Sequence, residues 1–433
     1  MAIGLSSKSP CRNDLNSIAV MRRMGANVHK TAIAAVESIT VLAFCYICML
    51  AILRIVKFGI CKALSILVLL ALLCPFCCPA QQLPFSGFGI EANEFVGKVF
   101  KHEPKFTLPI PALSTATDIN LMLHTYGRKP WEQRTHYPTI GFAFVYINYG
   151  MDAVYGRCYG MYPNITLPVI SSRNWEWTIR LGEGLSYVSR TFQRTAPVDT
   201  INVAIGTHIN GITTFMTDLR YHVSDHWDVQ LGAGATHISD ASYGKPNLGI
   251  NVAGAHVGVR YFPVTSKPMR IHDTLPKLSN RWLAEARVSM AMTARNTNGG
   301  PLYPVYIASV YASRRWHNVD KYFVGADYYY HEDIYAYLRN TGLAAGHEVA
   351  NSYQAAVFAG NEFLLGRFGI LLQMGAYLHQ TYVKLDPVYE KVGGQYYIVQ
   401  KEYGPVKELF LSVFLKTHET VAELAEFGVG VGF

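Results

Sequence analysis

The stretch from Trp227 to Tyr261 alternates apolar residues with polar or small residues at a period of two. On its first limb, one face begins with Trp227 and Val229 and ends with His237 and Ser239, while the other face is polar or small throughout. A period of two is the period of a β-strand, because successive side chains of a strand point to opposite faces of the sheet. The pattern therefore predicts a β-hairpin with His237 and Ser239 on its apolar side.

The second limb, 246–262, repeats the alternation after a Gly-Lys-Pro turn at 244–246. A hairpin that is symmetric about this turn places Asn251 across from His237 and Gly249 across from Ser239. Three polar side chains then meet on an apolar surface. The buried face of a soluble sheet has no use for such a group, whereas an enzyme that acts on lipid does, so we expect this face to contact lipid.

The composition favours an all-β membrane protein. The chain of 433 residues is 50% hydrophobic and 13% aromatic but only 16% charged, and Tyr and Trp recur near the ends of alternating segments. These features predict an antiparallel transmembrane β-barrel of the outer-membrane type. The last residues, FGVGVGF, form a strand that ends on the aromatic Phe433, as bacterial outer-membrane barrels typically do. A soluble all-β protein such as a sandwich is the alternative.

Strands are predicted along most of the chain after residue 80, and the connections between them alternate between short turns and longer loops, such as 332–351 and 382–394. A linker at 263–280, with three prolines, interrupts the pattern between barrel strands in 81–262 and further strands in 281–433. We favour one barrel of about 12–16 strands over two small barrels. A wider barrel would have room for a polar channel, and Glu285, Arg287 and Arg295 at inward positions are compatible with one, although charged residues are also common inside plugged barrels. The predicted strands are 88–100, 113–126, 139–149, 158–170, 174–189, 207–223, 227–239, 246–262, 282–293, 303–314, 320–331, 352–364, 367–381, 395–402, 406–417 and 421–433.

The first 80 residues differ from the rest of the chain. Seven of the eight cysteines lie there, so no disulfide can form within the part that follows. Basic residues precede an apolar run that ends in Ala80, which predicts a signal peptide at 49–80, cleaved after Ala80. A second apolar run, 38–53, makes 1–48 either an extension upstream of the true start near Met49 or a membrane anchor region.

The charge pattern excludes several classes of function. The formal net charge of +8 suits contact with anionic lipid head groups, but no basic stripe or nucleic-acid module accompanies it. The chain also lacks zinc-ligand spacing, a nucleotide-binding glycine motif and a G-x-S-x-G elbow. We therefore expect no nucleic-acid partner, no metal and no cofactor.

His237 and Ser239 are the candidate catalytic pair. They lie two residues apart on one strand face, so the imidazole could take the hydroxyl proton as general base. Asn251 is the cross-strand candidate for holding the imidazole, a role that an amide fills in other hydrolases. A His-x-Ser spacing alone is a weak signal and is more often structural than catalytic.

The longer string HISDASYGKPNLGIN, from His237 to Asn251, resembles the fingerprint of the lipid A 3-O-deacylase (PagL-type) family of outer-membrane acyloxyacyl hydrolases. The family pattern reads H-x-S-N-A followed by P-N-x-G-I, and Pro246, Asn247 and Gly249 match its second part. The resemblance implies that Ser239 is the nucleophile and His237 the general base. It also implies a Gram-negative outer membrane as the location and the lipid A of lipopolysaccharide as the substrate.

Two residues depart from the family pattern. Asn251 stands where the best-known deacylases have an acidic residue, so the imidazolium would be oriented without being neutralised. Asp240 stands at the oxyanion-hole position, where the family has Asn, and an ionised carboxylate cannot donate a hydrogen bond to an oxyanion. An inactive barrel that serves as a pore or a structural protein is therefore the alternative to an esterase, and a homodimer is a further expectation.

Overall fold

The computed structural model describes residues 86–101, 106–193, 202–264, 269–294, 300–317, 319–380, 382, 386–418 and 421–433. The predicted signal peptide at 49–80 and the region before it lie outside these residues. No helix within the described part of the chain has the length and apolar character needed to cross a membrane. The described strands form two closed antiparallel barrels of eight strands each.

In each barrel every strand pairs with the next one along the chain, and the last strand pairs with the first. Three short helices lie in the loops: α1 (Pro130–Arg134), α2 (Asp152–Tyr155) and α3 (Glu332–Thr341). The first barrel contains β1 (Phe88–Val99), β2 (Ser114–His124), β3 (Thr139–Asn148), β4 (Arg157–Ser171), β5 (Trp175–Val188), β6 (Ile209–His222), β7 (Trp227–Ser239) and β8 (Ile250–Tyr261). The second contains β9 (Trp282–Thr293), β10 (Tyr303–Arg315), β11 (Asp320–His331), β12 (Tyr353–Leu365), β13 (Phe368–Gln380), β14 (Val388–Gln400), β15 (Glu408–His418) and β16 (Val421–Gly432).

The expectation of one wide barrel is wrong. Strand β8 pairs with β1 along its whole length, from Val252 opposite Val99 to Tyr261 opposite Ile90. This pairing uses the free edge of β1, so β9 has no edge to join and must start a second sheet. Eight strands enclose an interior that side chains fill, so the expected polar channel has no room. Glu285 and Arg287 do point inwards, and they are almost fully buried, while Arg295 lies outside the described residues.

The strand predicted at 395–402 begins earlier, at Val388, so the loop predicted at 382–394 is wrong over most of its length. The misleading feature is the glycine pair in the middle of β14, which resembles a turn. A Cβ atom on Gly393 would lie 2.1 Å from the Val413 carbonyl oxygen of the neighbouring strand. The glycine therefore allows a close approach between two strands inside the sheet.

The outer surface of both barrels is apolar. Residues at alternate positions of each strand, such as Leu231 and Val257, are about 60% exposed although they are large and hydrophobic. Exposed aromatic residues gather near the strand ends that the short turns connect. Such a band fits the girdle that anchors a barrel at the membrane interface. The residues of this band are Trp175, Trp227, Tyr261, Trp282, Trp316 and Phe368.

The interior of the first barrel has two parts. Where β7 ends and β8 begins, the interior is an apolar cluster that includes Ile238, Ile250 and residues of the loops above them. The remainder is charged. Arg180 is fully buried there, and its guanidinium binds Glu91 at 2.6 Å and Asp118 at 2.5 Å.

The interior of the second barrel contains buried lysines, each paired with carboxylates. Lys321 binds Glu285 at 2.9 Å and Glu408 at 2.6 Å, and Lys391 binds Asp327 at 3.0 Å. In both barrels, therefore, these inward charged residues neutralise one another. This arrangement avoids the large cost of an unpaired charge in a nonpolar medium.

Replacement of Arg180 by Met should destabilise the first barrel by about 3–5 kcal/mol, because it leaves Asp118 as a buried carboxylate without its cation and removes one of the three guanidinium groups around Glu91. The measurement is the urea midpoint of the folded protein in lipid or detergent. Arg173→Met is the matched control, since Arg173 is exposed in a turn. Equal midpoints for the two variants would contradict the stabilising role of the Arg180 cluster.

Candidate active site

The site lies at the end of the first barrel where β7 finishes and β8 starts. Ile238 and Ile250 are buried in the apolar cluster inside the barrel, with 0% and 1% of their surface exposed. Because side chains alternate along a strand, their neighbours His237, Ser239 and Asn251 must point outwards. The apolar core thus fixes the direction of the polar group.

The β7–β8 ladder pairs His237 with Asn251, as the symmetric hairpin predicted. His237 Nδ1 lies 2.6 Å from Asn251 Oδ1, and His237 Nε2 lies 2.9 Å from Ser239 Oγ. With its proton on Nδ1, the ring donates to the amide oxygen and accepts the serine hydroxyl proton at Nε2. The three residues form a continuous chain of hydrogen bonds from amide to imidazole to hydroxyl.

The sequence predicted that this face contacts lipid. The site does point outwards, but it is covered. Ser239 is only 7% exposed. A cavity of about 90 Å³ adjoins it, lined on one side by residues of the first barrel and on the other by strands β15 and β16 of the second. The residues around this cavity are His237, Ser239, Asn247, Leu248, Leu415, Thr417, Val421 and Ala422.

The connection between β7 and β8 is a loop over residues 240–249, longer than the symmetric turn predicts. Ser239 therefore pairs with Gly211 of β6, and the ladder to β8 ends one residue earlier, at Ile238 opposite Ile250. The regular ladder thus stops one residue before the predicted pair of Ser239 and Gly249, but Gly249 still lies beside Ser239, since a Cβ atom on Gly249 would lie 3.5 Å from Ser239 Cβ. The loop turns sharply after Ser239, because Ala241 and Ser242 both adopt positive φ angles, of 53° and 67°. Strained residues of this kind often cluster at functional sites.

Gly249 and Pro246 shape the far end of this loop. Gly249 has a φ of +75°, and a Cβ atom there would lie 2.8 Å from His237 Cε1, so a larger residue would displace the imidazole. The Gly249 N–H donates to the Ala204 carbonyl oxygen at 3.0 Å. The Pro246 carbonyl oxygen packs against Gly206, where a Cβ would lie 2.7 Å from it. Both motif residues hold the loop against the chain before β6.

Asp240 braces the same loop. Its Oδ2 accepts hydrogen bonds from Thr207 Oγ1 at 3.0 Å and from the Gly244 N–H at 3.1 Å, while its buried Oδ1 has no partner in the described structure. Burial is the main cause that raises the pKa of Asp240 to about 6, and the two hydrogen bonds oppose the shift. The carboxyl group is therefore largely neutral in weakly acidic solution.

Asn247 connects the loop to the cavity. Its Oδ1 accepts the Asp240 N–H at 3.3 Å. Its Nδ2 is buried without a hydrogen-bond partner among the described residues, although Asn247 lines the cavity beside Ser239. A buried amide donor without a partner lowers the stability of a folded protein. An acceptor from a bound molecule would remove this cost.

The sequence analysis missed several residues around the site. Thr213 pairs with His237 across β6 and β7, and Glu183 pairs with Thr213 across β5 and β6. Thr213 Oγ1 donates to Glu183 Oε2 at 2.5 Å, so a polar row crosses the outer face of the barrel. The outward alternation from Trp175 to Leu181 reaches Glu183 two residues later, which could have revealed it. The residues of β15 and β16 that border the cavity could not have been found in this way, because no local sequence pattern distinguishes them.

Replacement of Asp240 by Asn should change stability in a pH-dependent way. The folded protein holds the Asp240 pKa near 6, above the usual value of 3.8, so the stabilisation that its neutral form contributes is complete below about pH 4 and is lost as the pH rises through 6. Asn keeps both accepted hydrogen bonds and does not ionise. The unfolding midpoint of Asp240→Asn should therefore rise relative to wild type between about pH 5 and pH 8.

Asp225→Asn, in an exposed turn at the other end of the barrel, is the control for this comparison. A difference between Asp240→Asn and wild type that stays constant over this pH range would show that the Asp240 carboxyl is ionised throughout.

Comparisons with known proteins give matches for both barrels. Residues 118–260 match the family model described as lipid A 3-O-deacylase (PagL), and residues 282–433 match the model described as acyloxyacyl hydrolase, C-terminal domain. No curated protein matches the chain.

Similar solved structures include the outer membrane enzyme PagL, at 16% identity over 40% of this chain and 99% of that one, with a TM-score of 0.28. Another is Neisserial surface protein A, at 16% identity over 41% of this chain and 97% of that one, also with a TM-score of 0.28.

Proposed function

Because residues 118–260 belong to the lipid A 3-O-deacylase family and residues 282–433 to the acyloxyacyl hydrolase C-terminal domain family, we propose that this protein is an outer-membrane esterase that removes an ester-linked acyl chain from the lipid A of lipopolysaccharide. The observation that carries the proposal is the hydrogen-bonded chain Asn251–His237–Ser239 on the outer face of a membrane barrel. Export through a signal peptide cleaved after Ala80 and assembly into a homodimer remain predictions.

In the proposed reaction, Ser239 Oγ attacks the ester carbonyl while His237 Nε2 takes the hydroxyl proton. The tetrahedral intermediate then expels the sugar oxygen, which receives that proton from His237. Water, activated by the same imidazole, hydrolyses the acyl-serine and releases a fatty acid. Asn251 keeps the ring in the tautomer that presents an unprotonated Nε2 to the serine.

The oxyanion needs a donor at the cavity wall, and Asn247 is suited to this role. Its Nδ2 is a buried N–H donor with no protein acceptor, and it borders the same cavity as Ser239. Asp240 is turned towards Thr207 and Gly244, which places its accepting oxygen in the loop. The departure of Asp240 from the family pattern is thus compatible with hydrolysis, because Asn247 can supply the stabilisation that Asp240 cannot.

The polar row beyond His237 suits the sugar side of the substrate. Glu183 lies two strands from His237, about 10 Å away, which is the scale of a disaccharide. A carboxylate on the outer face of a membrane barrel is costly unless it binds something polar. Glu183 and Thr213 could therefore hydrogen-bond the hydroxyl and amide groups of the glucosamine backbone.

The alternative of a pore lacks support from the barrel interiors. Arg180 in the first barrel and Lys391 in the second are 0% and 1% exposed, and both are locked in ion pairs. A barrel of this size encloses little more than its own side chains.

Mass spectrometry of lipid A from cells that produce the protein should show the loss of one acyl chain, and Ser239→Ala should abolish this loss. Asn247→Leu should lower the rate by about a hundredfold or more, as the removal of one oxyanion donor does. Ser171→Ala, at an exposed serine near a turn, is the matched control. Unchanged lipid A with the wild type, together with acyl loss in Asp240→Asn, would instead indicate an enzyme inactivated at Asp240.

Asn251→Asp should increase the rate of deacylation. The substitution keeps the size of the side chain and places a carboxylate 2.6 Å from His237 Nδ1, where it would stabilise the imidazolium that forms in the transition state. We expect a gain of about tenfold in kcat, and a loss in Asn251→Ala, measured on purified lipid A in detergent. An equal rate in Asn251→Asp and wild type would remove Asn251 from the catalytic chain.

A further inference from the structure

The cavity beside Ser239 is built from two barrels. Asn247 and Leu248 border it on the first barrel, and Leu415, Val421 and Ala422 border it on the second. We propose that the β15–β16 hairpin forms the far wall of the groove that holds the scissile acyl chain, and that it determines which chain lengths reach Ser239. This inference rests on the proposed esterase function and assigns the second barrel a part in it.

The chemistry of the wall suits a saturated acyl chain. Three of the four second-barrel residues that border the cavity are aliphatic, and the fourth, Thr417, directs its hydroxyl at Glu390 Oε2, 3.2 Å away. The wall therefore offers the substrate chiefly apolar surface. The cavity of about 90 Å³ exceeds the ~10–15 Å³ that one water requires, so it has room for an ester group and the first carbons of its chain.

The exposure along β15 also indicates that this end faces the first barrel. Leu411 and Val413 are 51% and 47% exposed, as expected for the outer face of a membrane barrel. Leu415 and Thr417 have the same outward direction but are only partly exposed. The outer face of β15 therefore becomes covered where the strand approaches Ser239.

A direct hydrogen bond ties the wall to the catalytic loop. Ser242 is fully buried, and its Oγ donates to the Ala422 carbonyl oxygen at 2.5 Å. Lys245 Nζ donates in turn to Ser242 Oγ at 3.0 Å. Because Ser242 lies three residues after the nucleophile, this bond fixes the distance between Ser239 and the opposite wall.

The wall is also anchored from inside the second barrel. Lys416 and His418 flank Thr417 on the inward face, and both bind Glu423 Oε2, at 2.7 and 3.0 Å. The Lys416 ammonium also lies 4.0 Å from the centre of the Tyr329 ring. An inward residue of β16 thus binds two inward residues of β15, which holds the hairpin rigid where it faces the site.

Two fluorophosphonate probes, one ethyl and one hexadecyl, test this role on the full-length protein. Each labels an active serine by displacement of fluoride, and the rate ratio of hexadecyl to ethyl labelling reports the acyl groove. Ala422→Trp fills the groove and Leu415→Ala removes part of its wall, so each should lower this ratio, by about tenfold for Ala422→Trp, because the hexadecyl probe needs more of the groove than the ethyl probe. Leu411→Trp, on the exposed part of β15, should leave the ratio unchanged.

The outcomes separate the two proposals. Ethyl and hexadecyl labelling at Ser239 with a ratio that neither Ala422→Trp nor Leu415→Ala changes would overturn the groove and leave the esterase intact. Absence of labelling at Ser239 by either probe would overturn the esterase. In that case the groove is tested with a long-chain ester that carries a photoactivatable diazirine near its carbonyl. The groove stands if the wild type crosslinks at Leu415, Thr417, Val421 or Ala422 and Ala422→Trp does not, and it falls otherwise.

Discussion

Both barrels depend on closure of the sheet. In a lipid bilayer a backbone N–H or C=O group has no water to bind, so a strand edge left open would cost several kcal/mol for each unpaired group. The pairing of β8 with β1 and of β16 with β9 removes these edges. Closure at eight strands leaves an interior that must be filled by side chains, so a substrate would have to bind outside the barrel.

The two faces of the sheet consequently have opposite chemistry from those of a soluble protein. Charged residues such as Arg180 and Lys391 lie inside, paired with carboxylates, while large apolar residues cover the outside. Against this background the polar group at the end of β7 is an exception on the outer face. Its position depends on Ile238 and Ile250, whose burial inside the barrel turns their neighbours outwards.

The alternation of residues was enough to predict the strands, the direction of His237 and Ser239, and the pairing of His237 with Asn251. It failed where the information is not local. Whether β9 continues the first sheet depends on the edge of β1, about 190 residues earlier in the chain, and no pattern near residue 282 records that. The same holds for Leu415 and Ala422, which resemble any outward residues of a barrel until the structure places them beside Ser239. Gly393 led to the wrong loop prediction at 382–394, because a glycine that permits close strand contact looks the same in the sequence as a glycine in a turn.

The hydrogen bond between Ser242 and Ala422 joins the two barrels next to the proposed site. Ser239 belongs to the first barrel, whereas the opposite side of the cavity belongs to β15 and β16, which lie far later in the chain. Neither barrel forms this cavity alone. The surroundings of Ser239 are therefore complete only when β15 and β16 are folded as well as the first barrel.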